Sequence, residues 1–106
     1  MSYKPFAVLG VQRVVDGDTL DLNLDLGFKV FTTVRIRLAR VNCPEKNTFE
    51  GKLAKEFTEQ WVQKWTISNI IIHGHDKYGR WIAEVVAGEN NLSDHLLATG
   101  HAITYS

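Results

Sequence analysis

Hydrophobic and polar residues alternate along the N-terminal part of the chain, which is the pattern of strands with one buried face. Residues 6–15 are rich in β-branched side chains and predict a first strand. Residues 19–26 place four leucines on one face and polar side chains on the other, and they predict a second strand. A turn at Gly27 separates it from a third predicted strand over residues 28–41. Three consecutive strands indicate an antiparallel meander.

A helical period replaces the alternation over residues 48–65. The apolar side chains recur every four positions and predict one stripe along an amphipathic helix. The stripe consists of Leu53, Phe57, Trp61 and Trp65. Asn47 or Thr48 can cap the helix, because each side chain accepts a hydrogen bond from a backbone N–H group. We expect both tryptophans to pack in the core rather than to stack on bases.

Two more strands and a second helix complete the predicted order. Residues 67–75 and 80–87 predict strands, with a turn at 76–79 between them. Residues 92–99 predict a short helix that ends at Gly100, a residue type common after helix C-termini. Three strands, a helix, two strands and a helix are the layout of an OB fold. We therefore predict a mainly β, α+β structure: a five-stranded OB-fold barrel with two packed helices.

Length and composition favour one small globular domain. The chain has 106 residues, 44% hydrophobic and 23% charged, so we expect residues 1–106 to form a single domain. No apolar run approaches the length of a membrane span, and the N-terminus lacks the apolar stretch of a secretory signal. We therefore expect a cytoplasmic protein without a membrane partner, and we take the monomer as the default state. A single cysteine, Cys43, excludes an intramolecular disulfide.

The formal net charge of the chain is zero at pH 7. This balance counts mildly against nucleic-acid binding, because nucleic-acid-binding proteins usually carry a basic excess. Charge can nevertheless be segregated, and an enzyme needs only a local basic cleft. The overall charge therefore does not decide the function.

Two acids flank a glycine just before the second predicted strand, in the sequence Asp16-Gly17-Asp18-Thr19. Taken alone, this pattern favours a hairpin turn, since Asp-Gly is a strong turn signal. The alternative is that a carboxylate points inward and holds a hard cation such as Ca²⁺ or Mg²⁺.

Arginines and polar side chains mark the end of the third predicted strand. Arg35 and Arg37 share one face of it, and a guanidinium is suited to bidentate phosphate binding. Beyond the strand, Asn42 offers an amide oxygen to a cation, and Glu45 is a candidate to act on a water molecule. A solvated basic face followed by a loop explains these residues about equally well when they are taken alone.

The predicted turn between the last two strands contains Asp76, Lys77, Tyr78 and Arg80. A polar hairpin is the structural interpretation. The functional one is a second cation for phosphate, beside a tyrosine that stacks on a base or contacts phosphate. His73 and His75 form a candidate zinc pair on the preceding strand, but no third ligand follows at useful spacing, so zinc is disfavoured.

Together these three segments resemble the staphylococcal nuclease family. The resemblance rests on Asp-Gly-Asp-Thr, Arg-x-x-x-x-Asn-x-Pro-Glu and Asp-Lys-Tyr-Gly-Arg in this order, and it covers roughly residues 8–105. It implies a metal-dependent phosphodiesterase that hydrolyses DNA, with RNA as a second substrate class and little sequence specificity. An OB groove tracks one strand, so single strands are the preferred partners. The implied cofactor is a divalent cation: Ca²⁺ foremost, with Mg²⁺ and Mn²⁺ as alternatives.

The resemblance implies a metal site. Asp18 matches a calcium-ligand aspartate, and Cys43 stands at a position that lends a backbone carbonyl to the metal. Asn42 stands where the best-known members have a second aspartate ligand. Asp16 is a further candidate ligand.

The resemblance also implies catalytic and substrate-binding residues. Arg37 and Arg80 match two arginines that grip the scissile phosphate, and Glu45 matches a glutamate that positions or deprotonates the attacking water. Lys77 and Tyr78 are the implied substrate-binding residues. A cation and two guanidiniums aimed at the negative charge of a phosphorane-like transition state would stabilise it.

Asn42 departs from the family pattern and leaves a second function open. An amide keeps an oxygen ligand but removes a negative charge, which weakens affinity for hard cations. The alternative to an enzyme is therefore a catalytically weak or inactive nucleic-acid-binding module. A purely structural domain is the third and least favoured hypothesis. For Tyr105 we expect core packing rather than a place near the nucleotide.

Overall fold

A closed barrel of five strands forms the body of the protein. The computed structural model describes residues 5–105. In chain order the elements are β1 (Pro5–Asp16), β2 (Thr19–Asp25), β3 (Phe31–Leu38), β4 (Val41–Asn42), α1 (Phe49–Lys64), β5 (Asn69–His75), β6 (Trp81–Ala87), β7 (Asn90–Asn91), α2 (Leu92–Ala98) and β8 (Ile103–Thr104). Strands pair in the order β3-β2-β1-β5-β6, and β3 also pairs with β6, which closes the barrel. The predicted OB-type barrel with two helices is confirmed.

Strand β1 is long enough to serve two neighbours. It pairs with β2 from Ala7 to Asp16 and with β5 through Pro5–Ala7, antiparallel in both cases. The β1–β2 pairing contains three register shifts. Such irregularities bend a strand and increase its twist, which allows β1 to curve around a small barrel. The closing pair, β3 with β6, is parallel.

The strand register brings the three motif segments to one end of the barrel. Asp16 pairs with Thr19, which pairs in turn with Arg37 near the end of β3. Beside Arg37, β3 pairs with the first residues of β6. The turn over residues 76–80 joins β5 to β6 at that same end. Residues far apart in sequence therefore share one surface.

The leucine face of β2 lies in the barrel interior, as its alternation predicts. Leu20 and Leu22 are fully buried and Leu24 is nearly so. Leu26, predicted to share that face, is 43% exposed, because β2 ends at Asp25 and Leu26 already belongs to the turn.

The predicted third strand, residues 28–41, is too long at both ends. Phe28 and Lys29 form a tight turn with φ values of 54° and 62°, closed by the Val30 N–H donating to Gly27 O at 2.9 Å. Val30, which belongs to this turn, is 51% exposed. At the other end, Arg40 has a φ of 71° and separates β3 from β4.

Three short strands, β4, β7 and β8, escaped sequence analysis. Each has two residues, too few to show a period. The pairing of β4 with β8 is nevertheless important, because it ties the segment after β3 to the C-terminal residues.

Helix α1 lies within its predicted bounds, and Thr48 caps it by accepting from the Gly51 N–H at 3.0 Å. Its buried residues are Gly51, Ala54, Thr58 and Trp61. Leu53, predicted to lie on that face, is 40% exposed. A strict spacing of four drifts around a helix of 3.6 residues per turn, so a straight stripe cannot stay buried.

Trp61 in α1 and Trp65 at its C-terminal cap both pack in or against the core, as expected. The Trp61 indole N–H donates to His95 Nδ1 at 2.8 Å, which ties α1 to α2. Over residues 5–105, neither helix has the length and apolar character required to cross a membrane.

Replacing Phe28 with Asn and Lys29 with Gly should stabilise the protein. Both positions have left-handed backbone, which costs a side-chain-bearing residue about 1–2 kcal/mol, and Asn-Gly is the preferred pair in such hairpin turns. Phe28 is fully exposed, so little packing is lost. Urea denaturation should show the free energy of unfolding raised by about 1 kcal/mol.

The matched control is Gly27→Ala in the same turn. Its φ of 86° disfavours any residue with a Cβ, so this variant should lose stability. Equal stability of all three proteins would contradict the strain assigned to the turn.

Candidate active site

An open cavity of about 580 Å³ lies at the barrel end where the motif segments meet. Its polar and aromatic lining residues are Asp16, Asp18, Arg37, Arg40, Asn42, Cys43, Glu45, Asp76, Lys77, Tyr78, Arg80 and Tyr105. Every catalytic, metal-binding or substrate-binding residue predicted from the sequence is among them. Arg35 is not: it pairs with Asp21 at 2.8 Å on the outer surface.

Asp18 is buried, and hydrogen bonds fix both of its carboxylate oxygens. Oδ1 accepts from the Thr19 hydroxyl at 3.0 Å, and Oδ2 accepts from the Cys43 N–H at 2.9 Å. Oδ2 also lies 3.6 Å from Arg37 Nη2. The carboxylate therefore joins the β1–β2 turn to the segment that follows β3.

Arg37 is held in place before any substrate binds. Its Nη1 donates to the backbone carbonyls of Leu38 at 3.0 Å and Val41 at 2.8 Å. Its Nη2 donates to Asn42 Oδ1 at 3.0 Å. Only 11% of the side chain is exposed. A positive charge is thus fixed at the cavity wall by neutral acceptors, and the Asp18 carboxylate at 3.6 Å offsets only part of it.

Arg80 is held differently, by the carboxylate of Asp76. The Arg80 Nε and Nη2 lie 2.8 and 2.7 Å from Asp76 Oδ2, while Asp76 Oδ1 accepts from the backbone N–H groups of Tyr78 and Arg80. Desolvation alone would raise the pKa of Asp76, but these hydrogen bonds outweigh it and lower the pKa. Asp76 therefore stays ionised at neutral pH and orients Arg80.

Two cations flank the ring of Tyr78 at the rim. The Lys77 Nζ and the Arg80 Cζ lie 5.4 and 5.5 Å from the ring centroid. Tyr78 itself is 72% exposed. An aromatic face with two neighbouring cations can bind both a base and the adjacent phosphate.

Glu45 and Asp16 carry carboxylate oxygens that their surroundings leave unused. Glu45 is exposed at the cavity, and nothing within residues 5–105 donates to its carboxylate. Asp16 Oδ1 is buried and has no hydrogen-bond partner in that part of the chain. An unsatisfied buried acceptor costs about 1–3 kcal/mol, so a cation bound at Asp16 Oδ1 would relieve that cost.

The Cys43 thiol is poorly suited to act as a nucleophile. Burial, and then the negative charge of Asp18, raise the pKa of its thiol to about 12, so the thiol stays protonated at neutral pH. Cys43 contributes to the site through its backbone, because its N–H group donates to Asp18 and holds that carboxylate in position.

A sequence model of the family described as "Staphylococcal nuclease homologue" matches residues 35–106, about two thirds of the chain. The chain belongs to the staphylococcal nuclease family. The family match begins after β2, so it includes Arg37, Glu45 and Arg80 but not Asp16 or Asp18.

Two curated relatives are each described as "Uncharacterized endonuclease". The one from Escherichia coli O157:H7 is 29% identical over 96 residues, which are 90% of this chain and 59% of that protein. The one from Haemophilus influenzae is 30% identical over 95 residues, 90% of this chain and 51% of that protein. This chain thus spans only between half and three fifths of the length of these relatives.

Two glycines of this staphylococcal nuclease homologue allow helix α1 to pack closely on two segments that line the cavity, the β1–β2 turn and the loop that contains Glu45. A Cβ on Gly51 would lie 1.7 Å from Glu45 O, and a Cβ on Gly17 would lie 2.9 Å from both Cys43 Sγ and Ala54 Cβ. Sequence reasoning missed this role. The available signal was a glycine in the first turn of an otherwise regular helix, where glycine is unfavourable.

Tyr105 is where sequence reasoning was wrong. It does not pack in the core: it is 59% exposed, lines the cavity, and has its ring 5.7 Å from Arg37 Cζ. The cause is the β4–β8 pairing, after which the Tyr105 N–H donates to Arg40 O at 2.8 Å. That pairing carries the C-terminal residues to the cavity rim.

Arg40, also missed, ties the loop after β3 to the rest of the fold. Its Nη2 lies 2.8 Å from both Glu84 Oε1 and Asp94 Oδ1. Glu84 also accepts from Asn91 Nδ2 at 2.9 Å, and its Oε2 lies 2.8 Å from His73 Nε2. These contacts offset the strain of the positive φ at Arg40.

The histidines set aside for zinc have other partners. His73 contacts Glu84, and the His75 ring packs 5.0 Å from that of Trp81. Within residues 5–105, no group of three or more His, Cys, Asp or Glu side chains is arranged to hold a metal ion. A cation here would need neutral oxygens or water beside its acidic ligands.

Gly51→Ala should destabilise the protein although alanine favours helix by about 1 kcal/mol. The new methyl group would overlap Glu45 O, and relieving that overlap moves the loop at a cost of about 1–3 kcal/mol. Urea denaturation measures the effect. Gly10→Ala is the control, since a Cβ there meets nothing within 4 Å. A Gly51→Ala protein as stable as the wild type would refute the close approach.

Acid should weaken the Arg40–Glu84 contact. Desolvation raises the pKa of Glu84, but hydrogen bonds from Asn91, Arg40 and His73 outweigh it, so the pKa in the folded protein lies below the ordinary value of 4.5. The stabilisation is therefore present above pH 4.5 and is lost as the pH falls through the folded-state pKa. Glu84→Gln should lower stability at pH 7 and reduce its further loss in acid, as measured by thermal denaturation from pH 7 to pH 3. Parallel acid curves for the two proteins would contradict this prediction.

Proposed function

We propose that this chain is a metal-dependent nuclease that hydrolyses the phosphodiester bonds of DNA, with RNA as a second substrate class and little sequence specificity. The observation that carries the proposal is the convergence of Arg37, Arg80 and Glu45 on one open cavity at the end of an OB-type barrel. Membership of the staphylococcal nuclease family and the two endonuclease relatives support the same reaction.

The two arginines bind and stabilise the reacting phosphate. Attack on phosphorus builds negative charge on the non-bridging oxygens, and guanidiniums fixed in advance stabilise that charge without reorganising. Arg37 is suited to this work because backbone carbonyls hold it. Arg80 is suited because Asp76 orients it while leaving it 33% exposed.

Glu45 acts on the attacking water. Its unpaired carboxylate takes the proton as the water oxygen bonds to phosphorus, and the leaving oxygen departs with a proton from solvent. A carboxylate already bound to an arginine would be a weaker base, so its lack of an ion pair within the described residues supports this role.

A divalent cation fits the cavity because Asp16 presents a buried carboxylate oxygen without a hydrogen-bond partner in residues 5–105. Asp16 and Asp18 would hold it, with the Cys43 carbonyl as a predicted neutral donor. The Asn42 amide oxygen, also predicted as a ligand from the sequence, here accepts a hydrogen bond from Arg37. Oxygen ligands of this kind suit Ca²⁺, and Mg²⁺ or Mn²⁺ as alternatives. When bound, the cation would offset negative charge on the phosphate.

Single strands are the proposed preferred substrate. Tyr78 and Tyr105 expose their rings on the cavity rim, where unpaired bases can stack on them. Paired bases in a duplex do not present these faces. Lys77, exposed beside Tyr78, adds a charge for the backbone.

A nucleic-acid-binding module with weak or no activity is the second candidate. Asn42 favours it, because the amide adds no negative charge toward a cation and its oxygen already accepts from Arg37. This candidate predicts tight single-strand binding and no cleavage with any divalent metal.

Cleavage of fluorescent single-stranded DNA tests the proposal. The wild type should cut with Ca²⁺, Mg²⁺ or Mn²⁺ and stop in EDTA. Glu45→Gln and Arg37→Gln should each lower the rate by about 10²–10³-fold, the usual cost of a lost transition-state contact. Arg35→Gln, which removes an arginine outside the cavity, should cut at the wild-type rate.

The outcomes separate the two candidates. Equal cleavage by wild type and variants would place the activity outside this cavity and overturn the proposal. Folded wild-type protein that binds the strand without cutting it, at any of these metals, would favour the binding module.

A further inference from the structure

The amide oxygen of Asn42 already has a positively charged partner. It accepts from Arg37 Nη2 at 3.0 Å, while Arg37 Nη1 donates to Leu38 O and Val41 O. Asn42 lies in β4, where pairing with Ile103 fixes its backbone. One short segment thus supplies two of the three acceptors that position the guanidinium.

Sharing that oxygen with a divalent cation would be unfavourable. An amide oxygen has two lone pairs, but it carries no net charge. A cation on the second lone pair would lie beside the Arg37 guanidinium, and the amide would not offset the repulsion between them. A carboxylate at this position would offset it. The structure therefore favours Asn42 as a partner of Arg37 alone.

Asp16 has the negatively charged, unpartnered oxygen that Asn42 lacks. Its carboxylate lines the same cavity, and its buried Oδ1 has no hydrogen-bond partner within residues 5–105. The turn that carries it is firmly held, because the Thr58 hydroxyl donates to Gly17 O at 2.6 Å and Gly17 packs closely on Cys43 and Ala54. Asp16 Oδ1 is thus a fixed acceptor, and a cation would satisfy it.

We propose that Asp16, together with Asp18, supplies the negative charge that holds the cation, and that Asn42 is a positioning residue for Arg37 rather than a metal ligand. This inference rests on the proposed metal-dependent function. The best-known family members are expected to have their second acidic ligand at the position of Asn42, after β3. In this chain the proposed second acidic ligand is Asp16, beside the β1–β2 turn.

Calcium titration by isothermal calorimetry, without nucleic acid, tests the assignment. Asp16→Asn should weaken Ca²⁺ affinity about tenfold or more, since affinity follows ligand charge. Asn42→Ala should change it less than about threefold, because no ligand is lost. Asp21→Asn is the matched control, because it neutralises an aspartate that pairs with Arg35 outside the cavity. Should Asp16→Asn fail to fold, Asp16→Ser takes its place.

Steady-state cleavage provides the readout for positioning. Asn42→Ala should lower kcat while Ca²⁺ affinity holds, and it should lower kcat little further in an Arg37→Gln background, because Asn42 acts through Arg37. A merely structural role would lower kcat by a similar factor in both backgrounds.

Three results would overturn the assignment: unchanged Ca²⁺ affinity in Asp16→Asn, an Asn42→Ala loss as large as the Asp16→Asn loss, or no Ca²⁺ binding by the wild type. The nuclease proposal fails separately. Cleavage in the presence of EDTA would refute metal dependence whatever the titrations show, and absence of cleavage would refute the enzyme even if Asp16 binds Ca²⁺.

Discussion

The close approach of helix α1 to two loops is the contact on which the cavity depends. Gly51 meets the backbone of Glu45, and Ala54 meets Gly17. The Thr58 hydroxyl, fully buried, donates to the carbonyl of Gly17. Gly17 lies between the two aspartates and Glu45 lies in the other loop, so packing against the helix sets the positions of the acids. Close-packed contacts transmit small displacements, which makes the acidic side of the cavity sensitive to the helix face behind it.

The basic side depends on hydrogen bonds instead. Arg37 is held mainly by neutral oxygens, and its Nη2 lies 3.6 Å from Asp18 Oδ2. Arg80 shares its charge with Asp76 in a direct ion pair. Arg37 therefore contributes the larger uncompensated positive charge to the cavity. Charges of opposite sign thus lie on different sides of the cavity, which is how a chain of zero net charge can present a locally positive surface.

The sequence was sufficient to predict the parts of the fold that repeat a period over many residues. The leucine alternation of β2 and the helical period of α1 identify both elements, and the order of the motifs identifies the cavity residues. The positions of the remaining residues depend on tertiary contacts, which leave no periodic pattern in the sequence. Leu53 lies outside the buried face because a helix turns every 3.6 residues, and Tyr105 reaches the cavity only through the pairing of two-residue strands. Neither β4 nor β8 is long enough to leave a periodic signal.

The short β4–β8 pairing joins Val41 and Asn42, which position Arg37, to Ile103 and Thr104, which precede Tyr105. Few contacts hold a two-residue ladder, so we expect it to open at a lower free energy than the barrel. Opening would release Tyr105 and loosen two of the acceptors of Arg37 at once, whereas the acids held by α1 would stay in place. The two sides of the cavity thus differ in stability, and the side proposed to bind phosphate is the one better able to adjust its shape.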